Sequence, residues 1–342
     1  MSGDPDLANS VRLTEDSVEL LDRRVFPFER VWVRCRTVEE VAKAIEQMVT
    51  QSSGPYFAAL WAMVLAAREA ASLDATSART ALDRAAHRLI ASRPTNNHLA
   101  KAVAIVLSEV DSVSARAGAD LVAAALAGAR AGDKRYRARC RALGEYTADL
   151  LPDDARVLTH CWADLYLIET VAAARRRARS LSFFCTETRP YLQGARLTAE
   201  TLAEMGVPTT LVTDGMGGSL FSQGLVDALV TAADRVSMDG CVINKVGTLQ
   251  LAVTATAFGV PFHAQVQAPD RTAPTAEDVP IEYRDGDEVL RTLGRRTASD
   301  RVRGLYPAFD ITPPEFVTTV VTDRGAFRPD ELARYYAEER SQ

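Results

Sequence analysis

Residues 151–190 read LPDDARVLTHCWADLYLIETVAAARRRARSLSFFCTETRP. A short apolar run at 156–159 ends in His160-Cys161, a helical pattern follows at about 163–178, and a second apolar run covers 181–185. A strand, a helix and another strand in so short a stretch form the signature of a parallel βαβ unit. The pattern repeats downstream, with runs at 209–212, 228–231 and 261–266 and helix-like segments at about 193–205, 217–225 and 246–258. An α/β fold follows, with a Rossmann-like open parallel sheet in residues 151–342. Ligands of such sheets sit beyond the carboxyl ends of the strands. There the chain places His160, Cys161, Glu187, Arg189, Asp214 and Asp234.

Upstream the texture is different. Short apolar runs at 18–21 and 31–33, separated by Pro27, suit a small sheet. Thr37 and Glu40 read as a capping box, and Val38, Val41, Ala42, Ile45 and Met48 share one helical face. Ala-rich helical patterns then run at about 56–72, 76–91, 96–114 and 117–148. Residues 1–150 are therefore expected to form a mainly helical domain carrying a small sheet, with the boundary near 150.

The 342 residues are 47% hydrophobic and 25% charged, with a net charge of −5, which excludes bulk disorder, collagen and a disulfide-stapled mini-fold. No basic excess points to nucleic acid or a membrane surface. Cys35, Cys140, Cys161, Cys185 and Cys241 are odd in number and lack CxxC spacing, as expected of reduced thiols in a cytoplasmic protein. MSGDPDLANS offers no basic and apolar leader, and apolar stretches such as 57–67 are too short for a bilayer. No Cys/His spacing suggests a metal. Gly215, Gly217 and Gly218 match neither GxGxxG nor a Walker sequence, so no nucleotide cofactor is indicated.

Cys161 stands at a strand-to-helix turn, where the helix N-terminus can activate a thiol; a buried structural thiol fits the same position. His160, its neighbour, reads as a packing residue. An apolar run delivers Asp234 toward the cleft, where desolvation would make it a general acid; capping or an arginine partner would equally explain it. Asn244-Lys245 precede a helix start, a ready anion site, and Arg93 lies in a loop able to clamp a phosphate. The cluster Arg175-Arg176-Arg177-Ala178-Arg179 reads as a solvated helix end.

Several segments, in order, resemble the methylthioribose-1-phosphate isomerase family, whose wider relatives include ribose-1,5-bisphosphate isomerase and the alpha, beta and delta subunits of the eukaryotic translation-initiation guanine-exchange factor. They are Arg93-Pro94-Thr95, Leu158-Thr159-His160-Cys161, Glu187-Thr188-Arg189-Pro190 with Leu192-Gln193-Gly194-Ala195-Arg196, Ala233-Asp234-Arg235, Asn244-Lys245-Val246-Gly247-Thr248 and Pro307-Ala308-Phe309-Asp310-Ile311-Thr312-Pro313. The resemblance implies Cys161 and Asp234 as catalytic residues. It implies that Arg93, Gln193, Asn244 and Lys245 hold a sugar phosphate, with Ser53 and Gly54 in a substrate-binding loop. A homodimer without metal or redox cofactor is also implied.

Two segments depart from the family. Its Arg-Gly-Ala-Pro loop becomes Gln51-Ser52-Ser53-Gly54-Pro55, losing the arginine, and Cys161 is followed by Trp162-Ala163-Asp164 instead of asparagine and small residues. These departures admit a sister isomerase acting on another pentose phosphate. A non-catalytic regulatory protein that binds a sugar phosphate is the reading from a different class.

Overall fold

The computed structural model describes residues 4–93, 97–112 and 118–337. They form two compact units, 6–138 and 139 onward, the latter joined by residues 4–5. In the first, β1 (Val11–Leu13), β2 (Val18–Leu21) and β3 (Trp32–Cys35) make an antiparallel sheet in sequence order. The helices α1 (Val38–Glu46), α2 (Gly54–Ala70), α3 (Ala75–Ala91), α4 (Asn97–Ser112) and α5 (Gly118–Leu150) follow. Thr37 caps α1 by accepting from the Glu40 amide at 3.2 Å, whereas the Glu40 carboxylate takes the Arg36 amide at 2.5 Å in place of its box partner. Helix α2 is apolar around nearly its whole circumference, from Tyr56 to Ala67, and is the buried centre of the unit.

The division falls inside α5, twelve residues before the expected boundary near 150. The reason lies in what the last turns of α5 bond to. Thr147 accepts from Gln265 Nε2 at 2.8 Å, Cys140 Sγ from Gln267 Nε2 at 3.4 Å, and Arg139 pairs with Asp323. Those turns cover the main sheet of the second unit, which helical periodicity along one element cannot show.

The second unit runs β4 (Ala155–Thr159), α6 (Leu165–Arg176), β5 (Leu181–Thr186), α7 (Ala199–Glu204), β6 (Thr209–Val212), α8 (Gly217–Ser222), β7 (Ala228–Ala232), β8 (Arg235–Val236), β9 (Val242–Lys245), α9 (Thr248–Ala257) and β10 (Phe262–Gln265). An excursion carries β11 (Tyr283–Arg284), β12 (Arg291–Thr292), β13 (Arg295–Arg296) and β14 (Tyr306–Pro307), followed by β15 (Phe309–Thr312), β16 (Thr319–Thr322), β17 (Gly325–Phe327) and α10 (Ala333–Ala337). The main sheet has the order β17-β16-β10-β7-β4-β5-β6, parallel throughout except for β17. Apart from that edge strand the order is doubly wound, reversing direction between β4 and β7, and a crevice opens there beyond the strand ends. Leu158, Leu229, Val242, Leu251, Phe262 and Val320 form the core around it. A second sheet, β15-β9-β8, is antiparallel. Its partner strand lies over sixty residues away in sequence, and the sequence reading assigned it no strands.

Candidate active site

The two ends of the crevice are occupied as expected: Cys161 follows β4 and Asp234 follows β7. Cys161 adopts φ +66°, a left-handed backbone that a non-glycine residue enters only when held. Here its amide donates to Thr188 Oγ1 at 2.9 Å and its carbonyl accepts from Thr198 Oγ1 at 2.5 Å. Thr198 ends a π-helical turn, Gly194–Thr198, that packs on the end of β5. A Cβ on Gly194 would stand 1.8 Å from the Thr186 carbonyl oxygen, so the glycine of the Gln193-Gly194-Ala195-Arg196 motif is required by close approach.

The Cys161 thiol is pushed up to about 11, first by burial and further by the fields of Asp234 and Asp214, against the Lys245 ammonium and the Trp162 amide. The expected activation by a helix N-terminus is therefore not what the residue experiences: α6 begins only at Leu165, and Cys161 is a neutral thiol near neutral pH. His160 is buried and neutral, its pKa lowered by burial. Its Nε2–H donates to the Val246 carbonyl at 3.0 Å, which leaves Nδ1 to accept from the Thr186 hydroxyl at 2.6 Å. It packs and orients, as read from the sequence. Gly247 sits at φ +106°, a backbone that strains any other residue, and a Cβ there would press on the imidazole at 3.1 Å.

Asp234 lies beyond the end of the β7 run, and its amide donates to the Ile243 carbonyl at 3.0 Å. The residue is exposed, so the apolar wall expected around it is not there. The buried run stops at Ala233 and the chain turns into β8, carrying the carboxyl outward. Even so, it is near enough to raise the Cys161 thiol.

Asn244 and Lys245 end β9 and are buried. Asn244 Nδ2 donates to Thr248 Oγ1 at 3.0 Å. Lys245 Nζ donates to the Ala308 carbonyl at 3.0 Å and lies 4.7 Å above the Phe309 ring. The expected anion site at the α9 N-terminus is already filled from within. Asp310 pairs with Asn244 across β15 and β9, and its carboxylate accepts from the Gly247 amide at 2.7 Å and the Leu249 amide at 3.2 Å. Burial pushes that carboxyl up to about 6. Only the antiparallel register delivers Asp310 there, so the helix start alone could not reveal it. Gln193 is buried, and its Oε1 has no hydrogen-bond partner among the described residues. Arg189 points elsewhere. Its guanidinium donates to the Val289 and Arg291 carbonyls at 2.8 Å each and ties down the excursion.

Cys161, Gln193, Asp234, Asn244 and Lys245 thus belong to one unit. Ser53, Gly54 and Arg93 belong to the other. There Ser53 is buried at the start of α2, and a Cβ on Gly54 would meet Thr50 Oγ1 at 1.7 Å. Arg93 follows α3 and is half-buried, while Pro94 and Thr95 lie outside the described residues. The guanidinium that reaches this loop is one the sequence reading passed over. Arg23 is 1% exposed and donates to the Gln51 carbonyl at 2.5 Å and to Ser10 Oγ at 2.8 Å. Trp162, the other departure, is buried with its Nε1–H unpartnered among the described residues.

Residues 51–329 match the family described as the Initiation factor 2 subunit family. A methylthioribose-1-phosphate isomerase from Anaeromyxobacter sp. (strain K) is 40% identical over 330 residues, covering 93% of each chain. A 5-deoxyribose 1-phosphate isomerase from Moorella thermoacetica is 38% identical over 332 residues, 92% of this chain and 93% of its own. The crystal structure of 5-methylthioribose 1-phosphate isomerase from Pyrococcus horikoshii OT3 superposes with a TM-score of 0.89 at 29% identity, covering 99% of this chain and 98% of that one. Among the described residues, no helix is long and apolar enough to cross a membrane. The chain therefore belongs to the Initiation factor 2 subunit family and stands with its aldose–ketose isomerases.

Proposed function

We propose that this protein converts a ribose 1-phosphate, reduced or methylthio-substituted at C5, into the corresponding ribulose 1-phosphate. One observation carries the reading: Cys161 and Asp234 follow β4 and β7, the two adjacent strands between which the sheet reverses direction and the crevice opens. Two relatives that match over nearly the whole chain are named for aldose 1-phosphates that differ only at C5.

A phosphate on the anomeric oxygen prevents ordinary opening to a free aldehyde. Asp234 protonates the ring oxygen and the C1–ring oxygen bond breaks. Hydrogen then moves from C2 to the electron-poor C1 with its electron pair. The C2 hydroxyl returns a proton to Asp234, so the carboxyl ends as it began. Cys161, protonated near neutral pH, shapes and dries the path of that transfer and takes no proton from resting enzyme. Within the second unit, Gln193, Asn244 and Lys245 hold the sugar phosphate. The enzyme works as a homodimer in the cytoplasm.

The test is turnover of a panel of C1-phosphorylated pentoses, followed by Cys161→Ser and Asp234→Asn on the best substrate. Each variant is expected to stay folded; Asp234→Asn should lose at least ~100-fold in kcat, in line with general acid–base contributions, and Cys161→Ser should lower kcat by wetting the path of the hydrogen transfer. Near-wild-type turnover in either removes that residue from the mechanism, and no turnover of any panel member by wild type ends the isomerase reading. Substrate deuterated at C2 should deliver its label to C1; exchange with solvent replaces the direct transfer by a proton shuttle.

A further inference from the structure

Tyr306 lies next to the Lys245 anchor. Its ring is 2% exposed, sits 5.9 Å from Lys245 Nζ and meets the Tyr191 ring edge-on at 5.9 Å. Two residues on, the Ala308 carbonyl accepts from that same ammonium. The ring is thus held on two sides, but its hydroxyl is not: the oxygen is buried with no hydrogen-bond partner among the described residues. A buried hydroxyl without a partner is a rarity that calls for an explanation. Tyr306 also walls a cavity of about 440 Å³ together with Val246, Gly247 and Asp310. Burial, with the fields of Tyr191, Glu288 and Cys161 behind it and Arg284 opposing, keeps the phenol protonated. It is a permanent donor, and it lies within electrostatic reach of the Cys161 sulfur. No contact among the described residues of its own unit uses that donor, and the two side chains nearest to it in function, Lys245 and Cys161, belong to the substrate site.

We propose that the Tyr306 hydroxyl donates a hydrogen bond to a sugar hydroxyl oxygen of the bound aldose 1-phosphate, making Tyr306 a substrate-binding residue; this rests on the isomerase function proposed above. A neutral phenol offers one donor and suits a hydroxyl acceptor, while the ammonium beside it serves the charged end of the ligand. Pairing with the sugar satisfies a group that folding leaves unsatisfied, so the interaction exists only in the complex.

Tyr306→Phe keeps the ring, and with it the Tyr191 and Lys245 contacts, and removes only the hydroxyl. The ligand-free variant is expected to melt at or above the wild-type temperature. Its kcat/KM for 5-methylthioribose 1-phosphate or 5-deoxyribose 1-phosphate, whichever wild type turns over, is expected to fall tenfold or more, with KM carrying the loss. A fall of less than tenfold overturns the proposal. So does a tenfold fall accompanied by a lower ligand-free melting temperature, because the hydroxyl then supports the fold. Wild type assayed on the same panel separates the two claims. Absence of wild-type turnover overturns the isomerase reading and this one with it, whereas an active wild type with an unimpaired variant overturns this one alone.

Discussion

Burial gives the Cys161 thiol a distinctive pH signature. At pH 8 a cysteine with the ordinary value of 9.0 is about one-tenth thiolate, whereas one at about 11 is about one-thousandth, so the reactive form is ~100-fold scarcer. A more basic thiolate is a better nucleophile, and two units at a Brønsted slope of ~0.45 return about eightfold. The net expectation for disulfide exchange with an aromatic disulfide reagent is a rate about tenfold below that of the same peptide unfolded. Steric shielding slows exchange equally at all pH, so the profile is the discriminating measurement. The rate located at the Cys161 peptide by mass spectrometry should climb about tenfold per pH unit and level off only near 11. Lys245→Met removes an ammonium whose field lowers this thiol and should slow exchange further at pH 8. A plateau at or below pH 9, or faster exchange in Lys245→Met, refutes the argument that burial outweighs the ammonium. The same shift bears on stability. The folded value lies above the unfolded one, so the contribution of the neutral thiol is complete below pH 9 and is lost as pH rises toward 11.

Gly194→Ala forces a Cβ to 1.8 Å from a strand-end carbonyl that cannot yield, and should destabilise by about 3 kcal/mol in urea unfolding, the upper end of overpacking costs. It should also free the Cys161 carbonyl from Thr198 and lower kcat; an unchanged unfolding midpoint contradicts the packing described. Arg23→Ala strips the Gln51 carbonyl and the Ser10 hydroxyl of a buried cationic donor and should cost about 2–4 kcal/mol, measured the same way. A loss under ~0.5 kcal/mol, the range of an ordinary surface substitution, would mean that this loop does not depend on the guanidinium.

How much of this was written in the sequence can be argued residue by residue. Apolar runs and their spacing placed β4, β5, β7 and β10, because burial makes parallel strands read as continuous hydrophobic segments, and placed the half-exposed edge strand β6 by its position in the alternation. The carboxyl ends of β4 and β7 then placed Cys161 and Asp234. The β8-β9-β15 sheet was not legible: its strands are short and their pairing joins Asn244 to Asp310 across sixty-six residues. The filled α9 N-terminus was lost with it. Asp234 was expected in a dry wall because an apolar run leads to it, but the direction in which a chain leaves its strand is set by what it packs on next.

Local sequence therefore determined the order of elements and the chemical types at the strand ends, since propensity and periodicity act over a few neighbours. Tertiary structure alone decided protonation and occupancy. Cys161 is a thiol and not a thiolate, Asp310 and not a ligand takes the Gly247 and Leu249 amides, and Arg23 attends the loop that lacks its own arginine. Desolvation and hydrogen bonding depend on groups brought together from distant parts of the chain, and no reading of neighbours in sequence contains them.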